Sequence, residues 1–344
     1  MRLSFNLLSV ISILLLSGCI NSCESKHSSS DSSNSEAQLP DTLVYSFPVN
    51  YSQALEALDD SSKVEVGSYK DVLTLFERLN YTPESWQAGI REIPRAYLVI
   101  IGDRWGSSTT KEMTVLNKKQ LFFRGIAPLI LRSNELILKD RSRLESIRSS
   151  FGSGDSIPET DQIWIRKLAD LYKIKSTDEG LTATELDELW LRVDMVPPSL
   201  ALAQAAEESG WGTSRFAAQG NAVYGQWTWG KNAIKPEQQR KELGNYGIAS
   251  FESLQESISA YMLNLNTHNA YSELRARRAV LRENGEKITG MELAETLTRY
   301  SERGEAYVET LKSMMEYNQL IPVDDAYLSD GDPIYMIPAE APSP

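Results

Sequence analysis

The chain has 344 residues, 41% of them hydrophobic and 24% charged, with 35 basic against 47 acidic side chains for a formal charge of −12. That length holds one large or two modest domains with a sizeable core, and the acidic balance excludes the basic footprint by which nucleic-acid binders displace counterions. The two cysteines, Cys19 and Cys23, and two histidines, His27 and His268, exclude more. Thiol peptidases, His/Cys zinc sites and a disulfide framework lack their residues, and a Ser-His-Asp triad would have to use His268. Carboxylate, tyrosine and amide chemistry remain for hydrolytic work, with no cofactor and no metal.

Residues 1–18 carry one charge, Arg2, and an apolar run of ten residues from Leu7 to Leu16. Such a run is too short to cross a bilayer and reads as the core of a signal peptide. It ends in Leu16, Ser17, Gly18 and Cys19, which resembles the lipobox of bacterial lipoproteins. The resemblance implies lipid transfer to Cys19 and cleavage before it. Ile20 and Asn21, where an acidic residue would signal inner-membrane retention, imply an outer-membrane anchor facing the periplasm. Residues 19–40 are Ser-rich with nothing apolar to bury, a flexible tether reaching roughly 25 Å on average.

Residues 41–110 form a smaller mixed α/β segment of unassigned role: Leu43 to Val49 and Arg95 to Gly102 are β-branched and aromatic like strands, and Lys70 to Leu79 has helical spacing. Residues 111–195 are helical. Leu121, Phe122, Ile126, Leu129, Ile130, Ser133, Ile137, Leu144 and Ile147 mark one broad face of a long helix that Pro128 should kink or split. Ser153 to Pro158 is a break, and amphipathic helices follow at Ile163 to Tyr172 and Thr184 to Val193, the second opened by Thr184 with Asp187 as a near capping box. Residues 321–344 turn to Pro, Asp and Ala, the composition of a flexible C-terminal tail.

Residues 196–320 hold the constellation that carries chemistry. Pro198 suits a first helical turn, four alanines follow between Leu200 and Ser209, and Gly210 is placed to end the helix. Glu207 and Glu208 then fall in its last turn, about 100° apart, so only one of them is chemical. Glu208 shares a stripe with Ala201, Gln204 and Ala205, the small-residue face expected to be buried. A carboxylate there meets the negative end of the helix dipole, and burial beside Trp211 removes water; both raise its pKa toward that of a general acid. Trp211, Phe216, Tyr224, Trp227 and Trp229 follow within nineteen residues, and the loop-like WTWG offers indoles to stack on sugar faces.

At these residues the chain resembles a known family. LAQAAEESGWGTSRFA, NAVYGQWTW, LNLNTHNAYSELR and RYSERGEAYV, with QLFFRGIAPLILRSNELIL upstream, are similar to the Bax-like branch of the bacterial glucosaminidases, glycoside hydrolase family 73. The resemblance runs in collinear order through about residues 110–320. It implies a mainly α (α+β), lysozyme-like, two-lobed helical domain that cleaves the N-acetylglucosaminyl β-1,4 bond of peptidoglycan glycan strands. By position, Glu208 matches the family's general acid and Tyr271 its cleft tyrosine, while Asn221, Tyr224 and Gly225 match the Asn-x-x-aromatic-Gly element beside the catalytic helix. Trp211, Trp227 and Trp229 join them as candidate substrate contacts.

The resemblance leaves other residues open. His268, three residues before Tyr271, either shapes the site or packs structurally; Tyr300, Glu302 and Arg303 either line the cleft or lock two helices by an ion pair. Glu237 and Glu242 are the available second carboxylates, and neither lies in a recognisable motif. One acid suffices if the substrate's own acetamido oxygen attacks the anomeric carbon, the route that Tyr271 favours. Two alternatives stand beside hydrolysis: a lytic transglycosylase, and a catalytically silent wall-binding lipoprotein.

Overall fold

Helical spacing governs most of this chain, and helices result. The computed structural model describes residues 62–101, 113–175, 180–231, 233–237 and 244–339. Cys19, the tether, the strand expected at Leu43 to Val49 and Glu242 lie outside them. Strand β1 (Lys63–Val66) is followed by α1 (Tyr69–Arg78), α2 (Pro83–Gln87), β2 (Glu92–Ile93) and β3 (Ala96–Leu98). Then come α3 (Val115–Ser153), α4 (Glu159–Leu171), α5 (Ala183–Arg192), α6 (Pro198–Ser209) and α7 (Arg215–Gly220). A short antiparallel pair, β4 (Trp227–Thr228) and β5 (Gly247–Ile248), precedes α8 (Leu254–Thr267), α9 (Ser272–Glu283), α10 (Gly290–Ala294) and α11 (Glu305–Tyr317). Strands β6 (Tyr327–Leu328) and β7 (Ile334–Pro338) close the described chain. The architecture is mainly α with short strands, as the motifs implied.

Helix α3 is the spine. The Thr114 side chain caps it, every residue of its expected apolar face is buried, and it runs unbroken through Pro128 for 39 residues. A proline inside a helix costs about 3 kcal/mol; here Gly125 to Leu131 is buried throughout, so packing on all sides offsets that cost. The capping box of α5 falls two residues before Thr184: Thr182 accepts from Glu185 N, and the Glu185 carboxylate accepts from Thr182 N at 2.8 Å. The longer Glu side chain reaches back to the cap nitrogen, which is the geometry that box requires.

Helix α6 sits at the centre, packed against α3, α10, α11 and the turn at Ile321–Asp325. Residues Pro198 to Ala206 are all buried, and small side chains let its neighbours approach closely. A Cβ on Gly290 of α10 would lie 2.7 Å from Leu200 N, so only glycine fits there. The Asp324 carboxylate anchors the start of α6, accepting from Ser199 N at 2.8 Å, Ser199 Oγ at 2.7 Å and Gly290 N at 2.9 Å.

The C-terminal end corrects the expectation of a flexible tail. Strand β7 is the middle strand of a three-stranded parallel sheet, β1-β7-β3, and β6 pairs in parallel with β2. Residues 63–98 are therefore sewn to residues 327–338. From β3 the chain continues into the α6–α8 region: Leu254 N donates to Val99 O at 2.9 Å, and Ile101 N to Asn221 Oδ1 at 3.1 Å. Among the described residues no helix is long and apolar enough to cross a membrane.

Met336 is fully buried in β7. Met336→Ala should cost about 3 kcal/mol, as other large-to-small core changes do, and lower Tm by roughly 5–10 °C. A melting curve superimposed on that of the parent would mean that the strand carries no weight in the fold.

Candidate active site

Glu208 occupies the last turn of α6, ahead of Gly210, whose left-handed conformation (φ 56°) ends the helix. Ser209 Oγ donates to Ala205 O at 2.6 Å and accepts from Gly212 N at 2.8 Å, which holds the chain as it leaves. Trp211 also takes a left-handed conformation (φ 62°), a strain of order 1–3 kcal/mol for a bulky residue. Its indole is held against Phe122 and Phe123 at centroid distances of 6.1 and 5.1 Å, with Lys119 Nζ 4.5 Å from the ring. Trp211 thus joins the end of α6 to the start of α3.

Four tyrosines, Tyr261, Tyr271, Tyr300 and Tyr307, surround the carboxyl group, and Tyr224 backs one of them. The Tyr307 hydroxyl, on α11, donates to Glu208 Oε1 at 2.9 Å and accepts from Gln204 Nε2 at 3.1 Å. Gln204 Oε1 in turn accepts from the Tyr261 hydroxyl at 2.5 Å. Tyr224 stacks on Tyr261 at 3.7 Å and 3°, with its hydroxyl on Ala201 O. On the other side Tyr300 stacks on Tyr307, and the Tyr271 ring lies 5.6 Å from Tyr300. Glu208 keeps part of its surface open while protein encloses the rest.

Burial is the main force on Glu208 and pushes its pKa up to about 7; the neighbouring Glu207 charge adds to this, while the Tyr307 hydrogen bond and Arg303 oppose it. This is the state of a group that still holds a proton near neutrality and can release it. Glu207 points elsewhere, paired with Arg303 Nη1 at 2.7 Å. That contact ties the loop carrying Tyr300 to α6, which settles the role of Arg303 as a lock. Glu302 is exposed on the same loop.

The remaining candidates divide between wall and surface. Tyr271, in a single 3₁₀ turn after α8, is partly exposed; burial lifts its hydroxyl to about 12 against a hydrogen bond from Asn264, so it stays protonated beside Glu208. His268 caps that turn through Nδ1 and sits 5.7 Å from the Tyr271 ring; burial, then Lys173 and Arg275, hold its imidazole below the usual value. Asn221 and Tyr224 are buried, so they act through position and not by touching a ligand. Asn221 binds Ile101 N and donates to Phe251 O at 3.0 Å, and Gly225 is buried next to Tyr224. Trp227 stacks on Tyr246 at 4.2 Å in the β4-β5 pair, and Trp229 is 60% exposed just beyond it. Glu237 is exposed in the segment between β4 and β5.

Sequence reasoning passed over Tyr307, Tyr261 and Asn264. Tyr307 had a signal, since it lies seven residues beyond Tyr300 in the same motif, and Gln204 lies one helical turn before Glu208. Tyr261 had none, because its ring reads as one more apolar helix position.

Residues 184–320 match the glucosaminidase family, described as mannosyl-glycoprotein endo-beta-N-acetylglucosaminidase. The Escherichia coli (strain K12) protein called Protein bax is 33% identical over 202 residues, 59% of this chain and 70% of that protein. No solved structure matches.

The raised pKa has a consequence for stability. A group whose folded pKa lies above its unfolded value contributes stability below the unfolded value and loses it as pH rises through the folded one. For Glu208 that window runs from the ordinary 4.5 to about 7. Glu208→Gln should therefore melt with the parent at about pH 4 and above it at about pH 8. An identical difference at both pH values would contradict the assigned burial.

Proposed function

Since the chain belongs to the Bax-like glucosaminidases, we propose that this peptidoglycan-related glycosidase hydrolyses the N-acetylglucosaminyl β-1,4 bond of glycan strands, with Glu208 as general acid. The observation that carries the reading is the Glu208 carboxyl, protonated up to about neutrality and steadied by Tyr307 at 2.9 Å. In the first step its proton passes to the glycosidic oxygen as the bond to the anomeric carbon breaks. The substrate's own acetamido oxygen forms a bond to that carbon, and the alcohol leaves neutral. Tyr271, with its hydroxyl protonated and beside Glu208, is placed to steady the acetamido group. In the second step water attacks the same carbon as its bond to the acetamido oxygen breaks and the acetamide is restored, the Glu208 carboxylate takes the water's proton, and a reducing N-acetylglucosamine end results.

Substrate assistance is favoured because Glu207, the nearest second carboxylate in sequence, is engaged with Arg303. Trp229, exposed next to the site-bearing segment, fits the apolar face of a sugar ring. The overall negative charge places recognition in such ring and hydrogen-bond contacts, since bulk attraction to an anionic polymer is absent. The proposed place of work is the periplasmic side of the outer membrane, through a lipid on Cys19 and the tether that follows. Metabolic labelling with a fatty acid should mark the parent and not Cys19→Ser; label retained in that variant would remove the anchor from the account.

Digestion of purified peptidoglycan, read by mass spectrometry, tests the chemistry. Reducing N-acetylglucosamine ends should appear with the parent and fall at least about 100-fold with Glu208→Gln, the scale of general-acid catalysis. Anhydro-muramic ends would identify a lytic transglycosylase instead. No product from either protein would leave a silent wall-binding lipoprotein.

A further inference from the structure

A concave space lies well away from Glu208. It is a groove of about 990 Å³ lined by Asp194 and Met195, just before α6 begins. Helix α6 has twelve residues, so the groove and Glu208 lie at opposite ends of a span of about 18 Å. Arg141 of α3, Trp190 of α5 and Arg282 of α9 form its floor, and Glu145, Glu283 and Glu286 add carboxylates to its lining.

In and beneath the floor, one carboxylate lies among three guanidinium groups, of which that of Arg278 is fully buried. Asp194 is buried and accepts from Arg282 Nε at 2.6 Å and Nη2 at 2.5 Å, while Arg278 and Arg141 each stand 3.6 Å away. Backbone carbonyls meet part of the excess positive charge. Arg278 donates to Leu191 O, Asp194 O and Met195 O, and Arg141 Nη1 donates to Trp190 O and Val193 O. These oxygens include the negative end of α5, which explains why arginines collect there.

That account leaves one group over. Arg141 is only 8% exposed, yet each of its hydrogen bonds among the described residues leaves from Nη1. Its Cζ lies over the Trp190 ring, 3.5 Å from the centroid, and Arg148 Cζ lies 4.7 Å from the same centroid. Stacking engages the face of a guanidinium and leaves its Nε/Nη2 edge able to donate in plane to a carboxylate. Neither of those atoms is among the buried polar atoms that lack a partner, so the edge is not sealed off from the groove. Burial, and behind it the charges of Arg282, Arg278 and Arg148, push the Arg141 guanidinium down to about 10 against the pull of Asp194. An anion on the open edge would offset that excess.

We propose that this groove binds an amino acid or short peptide, its carboxylate on the open edge of Arg141 beside Arg282 and its amine toward Glu145 and Glu286. Carboxylate and ammonium together match a cationic floor with acidic neighbours better than a simple anion does. Two sources carry this chemistry: free amino acids and peptides, or the peptide side chains of the wall polymer. Only the second rests on the function proposed above.

The test is titration of the purified protein with alanyl-glutamate, followed by NMR of the arginine Nε–H signals and by calorimetry. The dipeptide should move the Arg141 and Arg282 signals, and its diamide, which has no carboxylate, should not. Arg282→Gln should weaken binding by about tenfold or more, the loss expected for one charge-assisted pair, and Glu208→Gln should leave it unchanged. A disaccharide-peptide wall fragment that binds tighter than the dipeptide names the wall as the source; equal or weaker binding names free peptides. No signal change at millimolar dipeptide, or equal binding of dipeptide and diamide, overturns the proposal. Neither result bears on the digestion experiment, so the two readings fail separately.

Discussion

A carboxyl group at the wrong end of a helix is the constraint on which this molecule turns. The C-terminal end of α6 is electrically negative, and burial removes the water that would stabilise a carboxylate there. Glu208 therefore keeps its proton to about neutral pH, and one hydroxyl, that of Tyr307, keeps the charged form within reach. Without burial the group would be an ordinary surface glutamate; without the tyrosine it would release its proton only at higher pH. General-acid chemistry needs both effects in opposition.

The rest of the fold can be read as the means of holding that turn in place. The buried run of α6 from Pro198 to Ala206 goes with small residues along its length, a glycine at position 290, and the Asp324 carboxylate on the Ser199 amide. Its other end is fixed by Ser209, by Trp211 against α3, and by the Glu207–Arg303 pair that brings the Tyr300 loop alongside. The two adjacent glutamates thus sit differently: Glu207 is paired with Arg303, and Glu208 is turned to Tyr307. Because Asp324 and β7 belong to the same terminal stretch, support for the helix extends to the sheet that joins the two ends of the described chain.

What was legible in the sequence was local. The burial face of α3, the bounds of α6 with Pro198 and Gly210, and the divergence of the Glu207 and Glu208 side chains all follow from helical spacing and end chemistry. What was hidden depends on contacts between distant residues. IYMIP, from Ile334 to Pro338, looks like tail because a five-residue strand between Pro333 and Ala339 is recognisable only once its partners near residues 63–66 and 96–98 are known. Pro128 misled for the same reason, since packing by other helices decides whether one helix survives it. Tyr307 lies 99 and 103 residues from its partners Glu208 and Gln204, Tyr261 lies 57 from its partner Gln204, and no spacing rule connects them. Asn221 and Tyr224 show the reverse limit: motif position marks them as near the site but not that they are buried within its wall.

The central claim is that burial keeps Glu208 protonated while Tyr307 restrains the shift. Titration of the protein with ¹³C-labelled glutamate, following the Glu208 carboxyl carbon by NMR in the parent and in Tyr307→Phe, tests it most directly. The account predicts a midpoint of about 7 in the parent and a higher one in the variant, because the hydrogen bond that favours the carboxylate is gone. A midpoint at the ordinary 4.5 in the parent, or a lower one in Tyr307→Phe, would contradict it.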